Sequence, residues 1–136
     1  MPEQQSDPVA SLTTAAEAVR QQLRVAAFDA AAVAELARFI EGQRAPLGAS
    51  PADRQGVVTA LGCFLGECLV RTYNGEWATG PDSTTGVGLA NRLFFNPFYL
   101  VEQQLRQGEK ASVAAFFASV PARVAARLAP RKGWIS

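Results

Sequence analysis

No histidine occurs among the 136 residues of this chain. Histidine is the commonest general base near neutral pH and the commonest nitrogen ligand for metals. Its absence excludes serine–histidine and cysteine–histidine catalysis. The two cysteines lack partners at a metal-ligand spacing, so we expect no metal site. No phosphate-cradling glycine pattern opens a helix, so we expect no nucleotide cofactor and predict that the protein is not an enzyme.

An excess of either charge is also absent. The formal net charge is +1 and the basic residues are scattered, so neither nucleic acid nor an anionic membrane is an expected partner. Arginine, glutamate or glutamine interrupts every long apolar stretch, so we expect no membrane span. The first seven residues are polar and acidic, unlike a secretory signal, and a cytoplasmic location is therefore predicted.

Cysteine is scarce, with only Cys63 and Cys68 in the chain. Five residues apart in a predicted helix, their side chains point about 140° away from each other at 3.6 residues per turn. They cannot readily form a disulfide. We expect both to be small core residues without a redox role.

Apolar residues are plentiful. They make up 49% of the chain against 18% charged residues, which is enough to form a core. The length predicts a single domain over residues 1–136, with its core at about 8–128. The polar N-terminus and the basic tail at 131–136 lie outside that core.

The central element is predicted to be a helix that starts at Ser50 and ends at Tyr73. Ser50 suits an N-cap, Pro51 the first helical position and Asp53 the third. The helix is apolar nearly all round, which predicts a position in the middle of the fold. Glycines at 62 and 66 lie one turn apart, so we expect another strand or helix to approach closely there.

The remaining periodicity predicts an α+β fold, with flanking helices and a small antiparallel hairpin or sheet around the central apolar helix. Flanking helices are expected at about 7–26, 29–41, 97–108, 112–118 and 124–128. Asp29 is predicted to cap the second of these helices and Gly42 to end it, whereas Pro121 is expected to break the last segment. Strands are predicted at 76–79 and 87–95, joined by a turn-rich loop at 80–86. The core side of the second strand is predicted to carry Val87, Leu89, Leu93 and Phe95, with Asn91 as a polar exception.

Glu67 is the most unusual residue, because it lies among apolar neighbours on the helix predicted to be buried. We expect it to pair with Arg71, one turn on, or with Arg92 from the hairpin. Two other interpretations stay open: Glu67 orients a ligand or acts as an acid or base, or it is simply exposed. Cys63 is one turn away, but a neighbouring anion stabilises a thiol rather than a thiolate.

Aromatic residues cluster around the hairpin and the helix after it. Trp77, Phe94, Phe95, Phe98 and Tyr99 are expected mainly in the core. The alternative is that Trp77, Phe94 and Tyr99 form a rim that anchors a protein partner, since aromatic side chains dominate interface hot spots.

Several short motifs occur in a recognisable order: Leu61–Glu67, Gly75–Trp77, Asn96–Phe98, Gly108–Glu109 and Phe116–Phe117. In this order, over about residues 50–118, the chain resembles a group of small, mostly uncharacterised bacterial proteins. That group has a Leu-Gly-x-x-Leu-Gly-Glu helix followed by Gly-x-Trp, a Pro-Phe helix and a Gly-Glu turn. The resemblance implies an α+β fold without known catalysis, carried in some members by proteins that act by binding others.

The sequence predicts a non-enzymatic protein-binding module, such as an immunity-type inhibitor or an adaptor, that uses the hairpin and its loop as the contact surface. The candidate binding residues are Glu67, Trp77, Arg92, Phe94 and Tyr99. The alternative is a small-molecule binder or minimal enzyme that uses Glu67 with Arg71 or Arg92. A homodimer through the alanine-rich first two helices is a third possibility.

Overall fold

The computed structural model describes residues 8–44, 51–80, 84–90 and 93–128. These residues form a mostly helical α+β fold with a small antiparallel sheet, which confirms the predicted fold class. The elements follow the order α1 (Pro8–Leu23), α2 (Ala30–Arg44), α3 (Pro51–Tyr73), β1 (Glu76–Thr79), β2 (Thr85–Leu89), β3 (Leu93–Phe95), α4 (Pro97–Gln107), a 3₁₀ turn (Gly108–Ala111) and α5 (Val113–Leu128).

Helix α3 is the centre of the fold, as predicted. Every residue from 61 to 69 is buried, and α3 packs on α1, α4, α2 and the sheet. Full burial stabilises a large apolar side chain by roughly 1.5–3 kcal/mol, so this run contributes strongly to the core. The helix ends where Asn74 takes the left-handed conformation (φ 59°) and the Gly75 amide donates to the Val70 carbonyl at 3.1 Å. The predicted cap, Ser50, lies outside the described residues.

The expectation that no segment is apolar enough to span a membrane is wrong for α3. By length and composition alone, Asp53–Tyr73 could cross a bilayer, the one such helix among the described residues. In the structure 56% of its most apolar stretch is buried inside the fold. Core helices of globular proteins share this combination, because a helix enclosed by protein needs apolar residues all round.

Gly62 and Gly66 of α3 admit close neighbours, as predicted. A Cβ atom added at Gly62 would overlap the ring of Phe98, and one added at Gly66 would overlap the ring of Trp77. The neighbouring elements are α4 and β1, but they make this close approach with aromatic rings rather than with their backbones. The rings fill the space that side chains at 62 and 66 would occupy.

The predicted strand at 87–95 is in fact two strands. β2 and β3 form a second hairpin, so the sheet has the order β1-β2-β3, antiparallel throughout. The four residues predicted for the core side do face the core, because directly opposed residues of an antiparallel pair share a face. Val87 lies opposite Phe95 and Leu89 opposite Leu93, all on the core side. Asn91, the predicted exception, lies outside the described residues.

Helix α2 begins as predicted and ends later. An amide of its first turn donates to the Asp29 carboxylate at 3.0 Å, which confirms the predicted cap. Gly42 does not end the helix: its φ is not positive, and α2 continues to Arg44. Arg44 then donates from its Nε to the carbonyl of Leu105 at 3.1 Å, which fastens this end of α2 to α4.

Pro121 does not break the last helix, contrary to expectation. α5 runs without interruption from Val113 to Leu128, joining the predicted segments 112–118 and 124–128. Proline lacks the amide hydrogen that would bond to the carbonyl four residues earlier, that of Phe117. The Tyr73 hydroxyl donates to this carbonyl instead, at 2.8 Å, with the two rings 4.8 Å apart. A partner from the end of α3 thus satisfies the group that proline leaves free.

Candidate functional site

Glu67 is buried in the middle of α3, with 4% of its surface exposed. Its Oε1 accepts a hydrogen bond from Arg71 Nε at 3.0 Å, which confirms the predicted ion pair. Its Oε2 accepts from Thr13 Oγ1 at 3.3 Å and from Trp77 Nε1 at 3.2 Å. Both carboxylate oxygens are therefore occupied, and the side chain links α1, α3 and β1.

Arg71 connects this buried acid to the surface. Half of its side chain is exposed, and its guanidinium carbon lies 4.3 Å from the ring centroid of Phe28. Contact with an aromatic face holds the cation in place while one side remains in water. Arg92, the other predicted partner and a candidate binding residue, lies outside the described residues.

The side chain of Trp77 faces the core of the fold. It lies opposite Val87 on the core side of the sheet, its ring covers Gly66, and its indole N–H donates to Glu67. The ring centroid is 6.2 Å from that of Phe98. Polar and apolar parts of this half-buried side chain thus both contact the scaffold.

The three predicted rim aromatics do not share one surface. Phe94 lies opposite Gly88 on the outer side of the sheet, where its ring covers Gly80 and Gly86. Trp77 is on the inner side. Of these three aromatic residues, only Tyr99, on the first turn of α4, projects into solvent, with 57% of its surface exposed.

Tyr99 borders a groove of about 390 Å³ between α4 and α5. On one wall α4 contributes Tyr99, Leu100 and Gln103, and on the other α5 contributes Phe116, Ser119 and Arg123. The Gln103 side-chain amide donates to the Tyr99 hydroxyl at 2.9 Å, which orients the phenol. The groove is formed because α4 and α5 touch each other little, each packing instead on α3 or α2.

Of the described residues that line this groove, the two charged ones are both positive. Arg123 Nε donates to Ser119 Oγ at 2.7 Å, and its guanidinium carbon lies 5.2 Å from the ring centroid of Phe116. Lys110, in the 3₁₀ turn, also lines the groove. Within the described part of the chain, neither cation pairs with an acid. Phe116 in turn packs edge-on against Phe95 at 4.9 Å, which connects the groove to the sheet.

No family model, curated protein or solved structure matches the chain. The resemblance over residues 50–118 stays a prediction. Functional inference for this protein therefore rests on its own geometry.

Gln104 is a buried polar residue that the sequence interpretation overlooked. It is fully buried, and its Nε2 donates to the Ala37 carbonyl at 3.2 Å and to Glu41 at 2.8 Å. Its Oε1 accepts the Val113 amide at 2.9 Å, which caps the start of α5. A signal was available, because residue 104 lies three positions after Val101 on the inner face of α4. Gln104 joins α2, α4 and α5, and its bonds are all internal.

The two cysteines are free and buried, as predicted. Burial, with a smaller effect from Glu67, raises the pKa of the Cys63 thiol to about 11. Burial also raises the pKa of Cys68. Protonated thiols at neutral pH are poor nucleophiles. In residues 8–44, 51–80, 84–90 and 93–128, no three histidine, cysteine, aspartate or glutamate side chains come close enough to hold a metal.

Proposed function

We propose that the protein is a non-enzymatic protein-binding module, of the adaptor or immunity-inhibitor type, and that its contact surface is the groove between α4 and α5. The observation that carries this proposal is the position of Tyr99, 57% exposed at the edge of a groove lined by Phe116 and Arg123. Tyrosine and arginine are enriched among the residues that dominate binding energy at protein interfaces. Among the other described residues, the large aromatic side chains are at least half-buried and contribute to the scaffold.

This proposal moves the contact surface away from the hairpin. Trp77 and Glu67 bond to each other, and Trp77 covers Gly66, so their main interactions are internal. A partner that used them would have to replace those interactions. Tyr99 can be contacted without breaking any bond between α3 and the rest of the fold.

The alternative, a small-molecule binder or minimal enzyme at Glu67, has weaker support. Each oxygen of the carboxylate already accepts a hydrogen bond from the chain itself. A ligand would have to displace Arg71, Thr13 or Trp77 to reach it. The geometry therefore favours a structural use of this acid.

Site-specific photocrosslinking tests the proposal. A photoreactive phenylalanine analogue is placed at Tyr99 and, as a matched control, at Gln22, an exposed position on α1 that does not line the groove. Irradiation in cells of the native host is expected to give a discrete protein adduct from position 99 and none from position 22. Arg123→Glu in the position-99 protein should reduce that adduct. Identical adducts from both positions, or none from position 99, would count against the groove.

A further inference from the structure

We propose that the segment bound in this groove is an acidic peptide, with a carboxylate near each end of the groove and an apolar side chain between them. The inference rests on the proposed function and specifies its partner. It follows from the charges, the shape and the length of the groove.

The groove holds positive charge that the described part of the chain does not neutralise. Five other arginines pair with a glutamate three or four residues earlier: Arg20, Arg38, Arg44, Arg71 and Arg106. The residue four positions before Arg123 is instead Ser119. Lys110 has no acidic partner among the described residues either. A partner that supplies carboxylates would pair with both cations.

Arg123 is already oriented for such a partner. Its Nε is held by Ser119 and its guanidinium lies over the Phe116 ring, which restricts the side chain. Its two Nη groups donate to no described residue. A planar guanidinium held in this way can bind a carboxylate through two parallel hydrogen bonds at a reduced entropic cost.

The distance between Lys110 and Arg123 determines how far apart the two acidic residues of the peptide must be. Lys110 lies in the 3₁₀ turn three residues before α5 begins, and Arg123 is ten residues after the first residue of that helix, or about 15 Å along it at 1.5 Å per residue. An extended peptide covers that distance in about five residues. Between the cations the groove is lined by Leu100, Phe116 and the small side chain of Ala115, which leaves room for an apolar residue.

A peptide fits better than a nucleic acid. Binding to a phosphate backbone relies on a row of cations, each neutralising one phosphate. Among the described residues the groove offers two, separated by apolar surface, and the chain as a whole carries a net charge of only +1. Two isolated cations around an apolar floor match a peptide with two acids around an apolar side chain.

Selection from a displayed library of random twelve-residue peptides tests the inference. The full-length protein is the bait, and the Tyr99→Ala variant is the counter-selection bait. We expect enriched peptides to carry two aspartates or glutamates about five positions apart with an apolar residue between. Fluorescence anisotropy of an enriched peptide should show up to about fivefold weaker binding for each of Lys110→Gln and Arg123→Gln. Binding should also weaken as salt rises from 10 mM to 150 mM.

The charge-reversed protein, Lys110→Glu with Arg123→Glu, is the decisive variant. We expect it to lose the acidic peptides and to select basic ones, with a circular dichroism melt equal to the wild type because both side chains are at the surface. Neutral or basic peptides that are enriched by the wild type and lost with Tyr99→Ala would overturn the acidic partner but leave the groove as the contact surface. Failure to enrich any peptide over the Tyr99→Ala bait would overturn the groove itself. Tighter binding of a twelve-residue oligothymidylate than of any enriched peptide would overturn the choice of a peptide.

Discussion

Replacing Glu67 by glutamine tests whether this acid holds the scaffold together. The substitution keeps the size of the side chain but removes the charge that Arg71 pairs with at 3.0 Å. Glutamine also has one acceptor oxygen, whereas the carboxylate accepts hydrogen bonds through two. The amide nitrogen of glutamine must therefore face a donor, which is the Arg71 guanidinium on one side or Thr13 and Trp77 on the other.

The expected cost is about 2 kcal/mol. Breaking a fully buried ion pair costs about 3–5 kcal/mol, but half of the Arg71 side chain is exposed and can be solvated, which reduces the loss. Loss of hydrogen bonds to a charged group alone accounts for roughly 1.5–3 kcal/mol. For a chain of this length, 2 kcal/mol corresponds to a melting temperature lower by roughly 6–10 °C.

Urea denaturation of the Glu67→Gln variant is the assay, and Glu102→Gln is the matched control. Glu102 pairs with Arg106 at the same four-residue spacing, but at 3.7 Å and with both side chains exposed. Exposed pairs contribute about 0–1 kcal/mol. The urea midpoint should fall clearly for Glu67→Gln at an unchanged slope, and barely for Glu102→Gln. An equal, small effect of both substitutions would refute the structural role assigned to Glu67.

Three further predictions concern the packing around α3 and α5. Tyr73→Phe should lower the free energy of unfolding by about 1–2 kcal/mol, because the Phe117 carbonyl loses its donor. Adding Pro121→Ala to that variant should recover part of the loss, because alanine restores an amide donor for the same carbonyl. No recovery in a urea melt would refute the role of Tyr73 as the substitute donor. Gly66→Ala should displace the Trp77 ring, cost about 1–3 kcal/mol and red-shift the tryptophan emission, and unchanged emission would contradict the packing. Because its pKa is raised to about 11, Cys63 should stay protonated and unreactive toward a thiol reagent at pH 8 until denaturant is added; rapid labelling of the native protein would contradict its burial.

Local signals explain what the sequence predicted correctly. The centre of α3 is apolar on every side, so burial was the simplest expectation, and Glu67 one turn before Arg71 implied the ion pair. Asp29 caps the next helix through a side-chain hydrogen bond that spans three residues. The inner face of the sheet was predicted correctly although the strand is in fact two, because three residues, an odd number, separate Leu89 from its partner Leu93, so directly opposed residues keep the same parity.

Features that depend on distant residues were not predictable. Pro121 normally ends a helix, and its tolerance depends on Tyr73, whose hydroxyl reaches α5 from the end of α3. The sequence places Gln104 on the inner face of α4, but its hydrogen-bond partners on α2 and α5 come only from the packing of those helices. The groove has the same origin: Tyr99 and Arg123 belong to separate helices, and only the packing of those helices on the core brings the two side chains to one surface.

The most direct test separates the binding surface from the scaffold. The affinity for the partner identified by crosslinking at position 99 is measured for Tyr99→Ala and for Glu67→Gln at a temperature where both variants are folded. We predict that Tyr99→Ala weakens binding at least about tenfold without changing the melting temperature, while Glu67→Gln lowers the melting temperature and leaves the affinity unchanged. Unchanged affinity for Tyr99→Ala together with lost affinity for Glu67→Gln would contradict this prediction.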